Sequence, residues 1–112
     1  MFCVRPGRVV MTAGDYGVPL PLRASDACFS GDFTLTFLVE DGAGLPRVRK
    51  EEAFHGPVDE ACITVELTAE ESARLPVGRY ACRVDMLVGG AVRNTVLGPL
   101  AFDVIGGERY GG

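Results

Sequence analysis

The chain has 112 residues, a single-domain length too short for two ordinary domains with separate cores. Its composition, 47% hydrophobic and 23% charged, excludes the low-hydrophobicity, high-charge signature of disorder. The net charge of -4 comes from 15 acidic and 11 basic side chains scattered without a basic run, which argues against nucleic acid as a partner.

Residues 1–7 contain an early Pro6-Gly7 and no apolar run of signal-peptide length, so no export signal is expected and these residues read as an N-terminal extension. No apolar stretch approaches the ~20 residues that cross a bilayer as a helix, so no membrane partner is expected. The 15 glycines and 7 prolines punctuate short apolar runs at close intervals, which favours strands and turns over long helices.

Arg8 to Ala13 is rich in β-branched and apolar residues and predicts a strand, closed by Gly14-Asp15-Tyr16-Gly17 with its positive-φ and Asx-turn residues. Val18-Pro19-Leu20-Pro21-Leu22 alternates apolar side chains with prolines that lack the ladder N–H, so it reads as an edge strand or as an extended cap on the sheet. In Phe33 to Glu40, Phe33, Leu35, Phe37 and Val39 fall on one face of a predicted strand. Asp41-Gly42-Ala43-Gly44 forms its turn, and Leu45 to Lys50 reads as a short charged return strand. Residues 51–60 are irregular around Gly56-Pro57 and are expected to be a mobile surface loop.

Alternation resumes at Ala61 to Leu67, with Ile63, Val65 and Leu67 on one face. Thr68 and Glu71 have capping-box spacing, so a helical turn is expected from Ala69 to Arg74. Arg79 to Val88 follows as a long central strand with Tyr80, Cys82, Val84, Met86 and Val88 inward. Gly89-Gly90 predicts a hairpin to Ala91–Leu97, because both positions accept positive φ. Gly98-Pro99 separates the last strand, Leu100 to Ile105, whose Leu100, Phe102 and Val104 point inward. The organisation is therefore one domain over residues 8–105 and a flexible tail over 106–112. About seven or eight short strands and one helical turn specify an all-β fold, an Ig-like antiparallel β-sandwich, with a small barrel as the competing closure.

No catalytic constellation emerges. His55 is the only histidine and lies in Ala53-Phe54-His55-Gly56-Pro57, outside any nucleophile motif. Cys3, Cys28, Cys62 and Cys82 form no paired metal-ligand spacing and are expected to be reduced, partly buried thiols. Glu51-Glu52, Asp59-Glu60 and Glu70-Glu71 would serve glycoside hydrolysis only if opposed across a cleft; Glu70-Glu71 instead suits a helix N-terminus. Asp15, Asp26 and Asp41 lack EF-hand spacing, and an Asx turn is the expected role of Asp15. Neither phosphate-binding glycine motif is present. The expectation is thus no enzyme, no cofactor and no metal.

Two composite segments carry a resemblance. Thr12-Ala13-Gly14-Asp15 with Val18-Pro19-Leu20-Pro21-Leu22, and Leu67-Thr68-Ala69-Glu70-Glu71 with Leu75-Pro76-Val77-Gly78-Arg79-Tyr80, resemble small β-sandwich domains of bacteriophage and prophage virion proteins. The similarity is to N-terminal domains of tail baseplate and receptor-binding assembly proteins, over roughly Val9 to Val104. It implies a non-catalytic domain in a virion, or in the bacterial cytoplasm before assembly. That domain would dock onto other protein subunits, copies of itself included, through strand edges and loops. The contact candidates are Val18, Leu20 and Leu22 on the proline-rich strand, and Phe54 and His55 in the loop. An exposed Phe54 would anchor a partner, whereas one folded onto its own core would not. The alternative is a carbohydrate- or ligand-binding sandwich, for which the absence of Trp leaves only Tyr16, Tyr80 and Tyr110 as a platform. A hydrolase would need a pocket holding two acidic groups with perturbed pKa values.

Overall fold

Period-two alternation, cut by glycine-rich turns, folds the chain into strands; a computed structural model describes residues 2–5, 8–17, 19–25, 31–58 and 60–106. The elements are β1 (Phe2–Arg5), β2 (Arg8–Thr12), β3 (Leu20–Ser25), β4 (Phe33–Glu40), β5 (Pro46–Phe54), β6 (Glu60–Val65), α1 (Ala69–Ala73), β7 (Gly78–Val88) and β8 (Ala91–Ile105). Six strands form one curled sheet in the order β1-β2-β8-β7-β4-β5, and β3 and β6 form a second, two-stranded sheet. Every ladder is antiparallel except β2 with β8, so the larger sheet is mixed, where an antiparallel one was expected. β2 and β8 are joined through the rest of the fold and not by a hairpin, so nothing forces them to run in opposite directions.

The inward faces of both sheets meet in one core. Leu35, Phe37 and Val39 of β4 and Cys82, Val84 and Met86 of β7 join Leu20 and Leu22 of β3 and Ile63 and Val65 of β6. Phe102 and Val104 of β8 complete it, as their alternation predicts. The central positions Leu35, Met86 and Phe102 are fully buried, each worth about 1.5–3 kcal/mol in transfer free energy.

The structure redraws four segments. Residues 2–5, read as an extension, pair with β2 as a sheet-edge strand. The loop expected over 51–60 is strand as far as Phe54, because β5 stays in register with β4 from Phe33↔Phe54 to Val39↔Val48. Its charged residues gave no alternation to read, since an edge strand is stabilised by its ladder and tolerates charge on both faces. The two final strands are one, β8, running through Gly98-Pro99 at a bulge where Cys82 faces Leu100 and Val84 faces Leu97. Gly98 is required there: its φ is +91°, and a Cβ would lie 2.9 Å from the Cys82 carbonyl oxygen. Lastly, Val88 is exposed at the end of β7, where the chain enters the Gly89-Gly90 turn beyond the reach of the core.

The α1 crossover follows its expected chemistry. The Thr68 hydroxyl accepts from the Glu71 N–H at 3.1 Å, and the Thr68 N–H donates to the Glu71 carboxylate at 2.9 Å, closing the capping box. Lys50 Nζ lies 2.6 Å from Glu71 Oε1 and ties α1 to β5. Partial burial pushes the Glu71 carboxyl upward, but Lys50 and the Thr68 N–H outweigh it and hold the group below the usual glutamate range. At the start of β7 the Tyr80 hydroxyl donates to the Pro76 carbonyl at 2.7 Å, which pins the α1–β7 corner.

Candidate functional site

With the core on one side of the large sheet, the side chains of opposite parity on β5, β4, β7 and β8 share its outer face. Four of them are directly opposed in register: Glu51↔Thr36, Thr36↔Asp85 and Asp85↔Thr95. They form a polar row across four strands. The Thr95 hydroxyl donates to Asp85 Oδ1 at 2.7 Å, Arg83 Nε donates to Asp85 Oδ2 at 3.0 Å, and Arg83 also pairs with Glu40. The Thr36 hydroxyl makes a long 3.5 Å contact to Glu51, whose carboxylate receives Arg49 Nη2 at 2.7 Å. Although it lies on the outer face, Asp85 is only 5% exposed and Thr36 only 2%, because the flanking long side chains and the curl of the sheet shield them. The carboxylates of Asp85 and then Glu40 hold the Arg83 guanidinium still more firmly in its charged form.

Toward the β7–β8 hairpin the row opens into a groove of about 440 Å³ lined by Thr34, Arg49, Glu51, Phe54, His55 and Leu87 among others. Phe54 is half-buried and stacks on the buried Phe33, centroids 5.3 Å apart and planes 8° from parallel. Thus Phe54 folds onto its own core with one ring face, while its edge still borders the groove. His55 Nδ1 lies 3.1 Å from Asp32 Oδ1, with both side chains at least 80% exposed. This is a solvated polar pair that carries an ion-pair attraction only while the histidine is protonated. Among the described residues, no hydroxyl or thiol is bonded to His55, so the pair has no nucleophile to activate.

The remaining candidates are dispersed. Leu20 and Leu22 are buried in the core, which removes their side chains from any contact surface, whereas Pro19, Pro21 and Arg23 are exposed. Val18 lies outside the described residues. Glu51 and Glu52 point to opposite faces of β5, and Glu60 pairs with Arg23 at 3.3 Å. Glu71 serves the capping box. Asp41 shapes a turn: its carboxylate accepts from the Ala43 and Leu45 N–H groups and from Arg47. The Leu45 N–H contributes most to lowering the Asp41 pKa. Among the described residues no group of three or more His, Cys, Asp and Glu side chains is placed to hold a metal ion. Cys62 is free and exposed, whereas Cys82 is buried and its thiol is pushed up to about 11 by burial, which keeps it protonated and unreactive. Tyr16 is exposed while Tyr80 is occupied at its corner, so these two build no aromatic row. No helix among the described residues is long and apolar enough to cross a membrane.

Asp85, Thr95 and Arg83 were not singled out by the sequence. A lone aspartate inside a β-strand alternation gives no sign of burial, and only the cross-strand register brings it against Thr36 and Thr95. No protein-family model, curated protein or solved structure matches the chain.

Proposed function

We propose that the chain is a non-catalytic, immunoglobulin-like domain that works through protein–protein contacts, as a structural or assembly component of a phage or prophage particle. The observation that carries this reading is the outer face of the large sheet. It presents Thr95, Arg49 and Glu51 as exposed directional groups already held by their neighbours, Thr95 by the buried Asp85 and Glu51 by Arg49. Such a face offers fixed donors and acceptors at little ordering cost, which is what a recognition surface needs. The groove at its end holds exposed groups paired with each other, unlike the desolvated groups of a catalytic site.

Two features support the immunoglobulin-like part. The succession β8, β7, β4 and β5 in one sheet, with β3 and β6 in the other, supports that reading, because the corresponding strands of a variable-type domain follow one another in the same way. Tyr80, bonded back to Pro76 two residues before Cys82, has the arrangement of its tyrosine corner. The virion part rests on the resemblance of the Thr12–Leu22 and Leu67–Tyr80 segments. It is tested by mass spectrometry of purified phage particles whose genome encodes this chain. The chain is expected there in fixed stoichiometry to the other structural proteins, and its absence from particles would overturn that assignment.

A further inference from the structure

We propose that β5 is a self-pairing edge: two copies of this chain join antiparallel about a two-fold axis at Glu51, merging their large sheets into one. This deepens the protein-contact reading and rests on it. β5 is the terminal strand of its sheet and pairs only with β4 among the described residues, so its other edge offers unpaired backbone groups. Charges on an edge strand often serve only to repel other strands, and one sign suffices for that. Here the signs are segregated along the strand, with Arg47, Arg49 and Lys50 preceding Glu51 and Glu52. A strand that is basic first and acidic second meets its complement in an antiparallel copy of itself.

The pleat then selects the register. Merging two sheets into one keeps inward residues inward, so opposed residues must share a face and the axis must pass through a residue. An axis at Arg49 opposes Arg47 and Glu51 twice, but sets Arg49 against itself and Lys50 against the buried Val48. An axis at Lys50 opposes Arg49 and Glu51 twice, but sets Lys50 against itself and Glu52 against Val48, so both place a charge on that apolar side chain. An axis at Glu51 instead sets Lys50, which also holds Glu71 of its own chain, opposite Glu52 twice, and sets Val48 opposite Phe54 twice with no charge against it. Its one like-charge contact, Glu51 with Glu51, is compensated because each carboxylate already holds Arg49 Nη2 at 2.7 Å, leaving two acids and two guanidiniums on the axis. Such an isologous contact closes at two copies.

The register makes a covalent test available. Directly opposed antiparallel residues have Cα atoms about 4.5–5.5 Å apart, within the span of a disulfide. Glu51 is exposed, so Glu51→Cys in the full chain leaves the core intact. Under mild oxidation at micromolar concentration, Glu51→Cys is expected to form a covalent dimer at least ~10-fold faster than Arg47→Cys or the unaltered chain, whose own cysteines, the exposed Cys62 among them, set the background. In the unaltered cysteine background, Glu52→Lys is expected to weaken association about 10-fold by facing Lys50 with a like charge. Mixing Glu52→Lys with Lys50→Glu, the latter paired with Glu71→Lys to keep the α1–β5 ion pair, is expected to restore it. Equal cross-linking at positions 47 and 51, or a monomer at every concentration, would overturn the proposal. A chain that is monomeric but incorporated into particles would overturn self-pairing and leave the protein-contact reading standing.

Discussion

The two faces of the large sheet are built from the same strands by different physics. On the inner face of β4 and β7, Leu35, Phe37, Val39, Val84 and Met86 are buried by non-directional apolar packing. On the outer face of the same strands, Thr36 and Asp85 are buried as deeply, yet they are held by hydrogen bonds and the Arg83 ion pairs. The contrast teaches that one sheet can bury residues in two ways. The inner face does so by apolar packing, and the outer one by bonding its buried polar groups to exposed neighbours such as Thr95.

The comparison breaks first at Phe37. Phe37→Ala removes a large, fully buried side chain and is expected to cost about 3–5 kcal/mol in denaturant unfolding, enough to unfold a marginal domain. Asp85→Ala comes next, at about 1–3 kcal/mol, since it leaves Thr95 and one arm of Arg83 without an acceptor. An Asp85→Ala cost as large as that of Phe37→Ala would erase the distinction between the faces.

The inner face is also the part that was legible in advance. Alternation alone located Phe33, Leu35, Phe37 and Val39, then Ile63, Val65 and Leu67, and capping-box spacing located α1, because each signal is local. What was not legible depends on pairing between distant segments. The strand character of 51–54 comes from the β4 ladder, the parallel β2–β8 contact from the order of strands, and the Asp85 row from register across β5, β4, β7 and β8. Of the proposed contact residues, Phe54 and His55 do border the groove, whereas Leu20 and Leu22 face the core. The proline signal marked the edge strand without indicating which side its leucines would take.

Smaller effects sharpen the picture at the crossover. The folded-state pKa of Glu71 is lowered, so its contribution is present above the ordinary glutamate range and is lost as pH falls through the folded value. Glu71→Gln keeps an acceptor for the Thr68 N–H but loses the charge facing Lys50. It is expected to cost about 0.5 kcal/mol at neutral pH, and the difference from the unaltered chain should vanish in acid unfolding titrations. Ser72 is buried with its hydroxyl unpartnered among the described residues. Ser72→Ala is therefore expected to change stability by no more than about 0.5 kcal/mol, in the stabilising direction.

The claim that the β5 end of the outer face is where this chain meets another protein, first of all a second copy, is tested most directly by absolute mass. Light scattering across a concentration series, at neutral pH with reductant, is expected to show the mass rising from that of one 11.9 kDa chain toward twice that value. Added salt should move the transition to higher concentration, because the paired charges of β5 are solvent-accessible. A mass that stays at one chain throughout, with or without salt, would contradict the account.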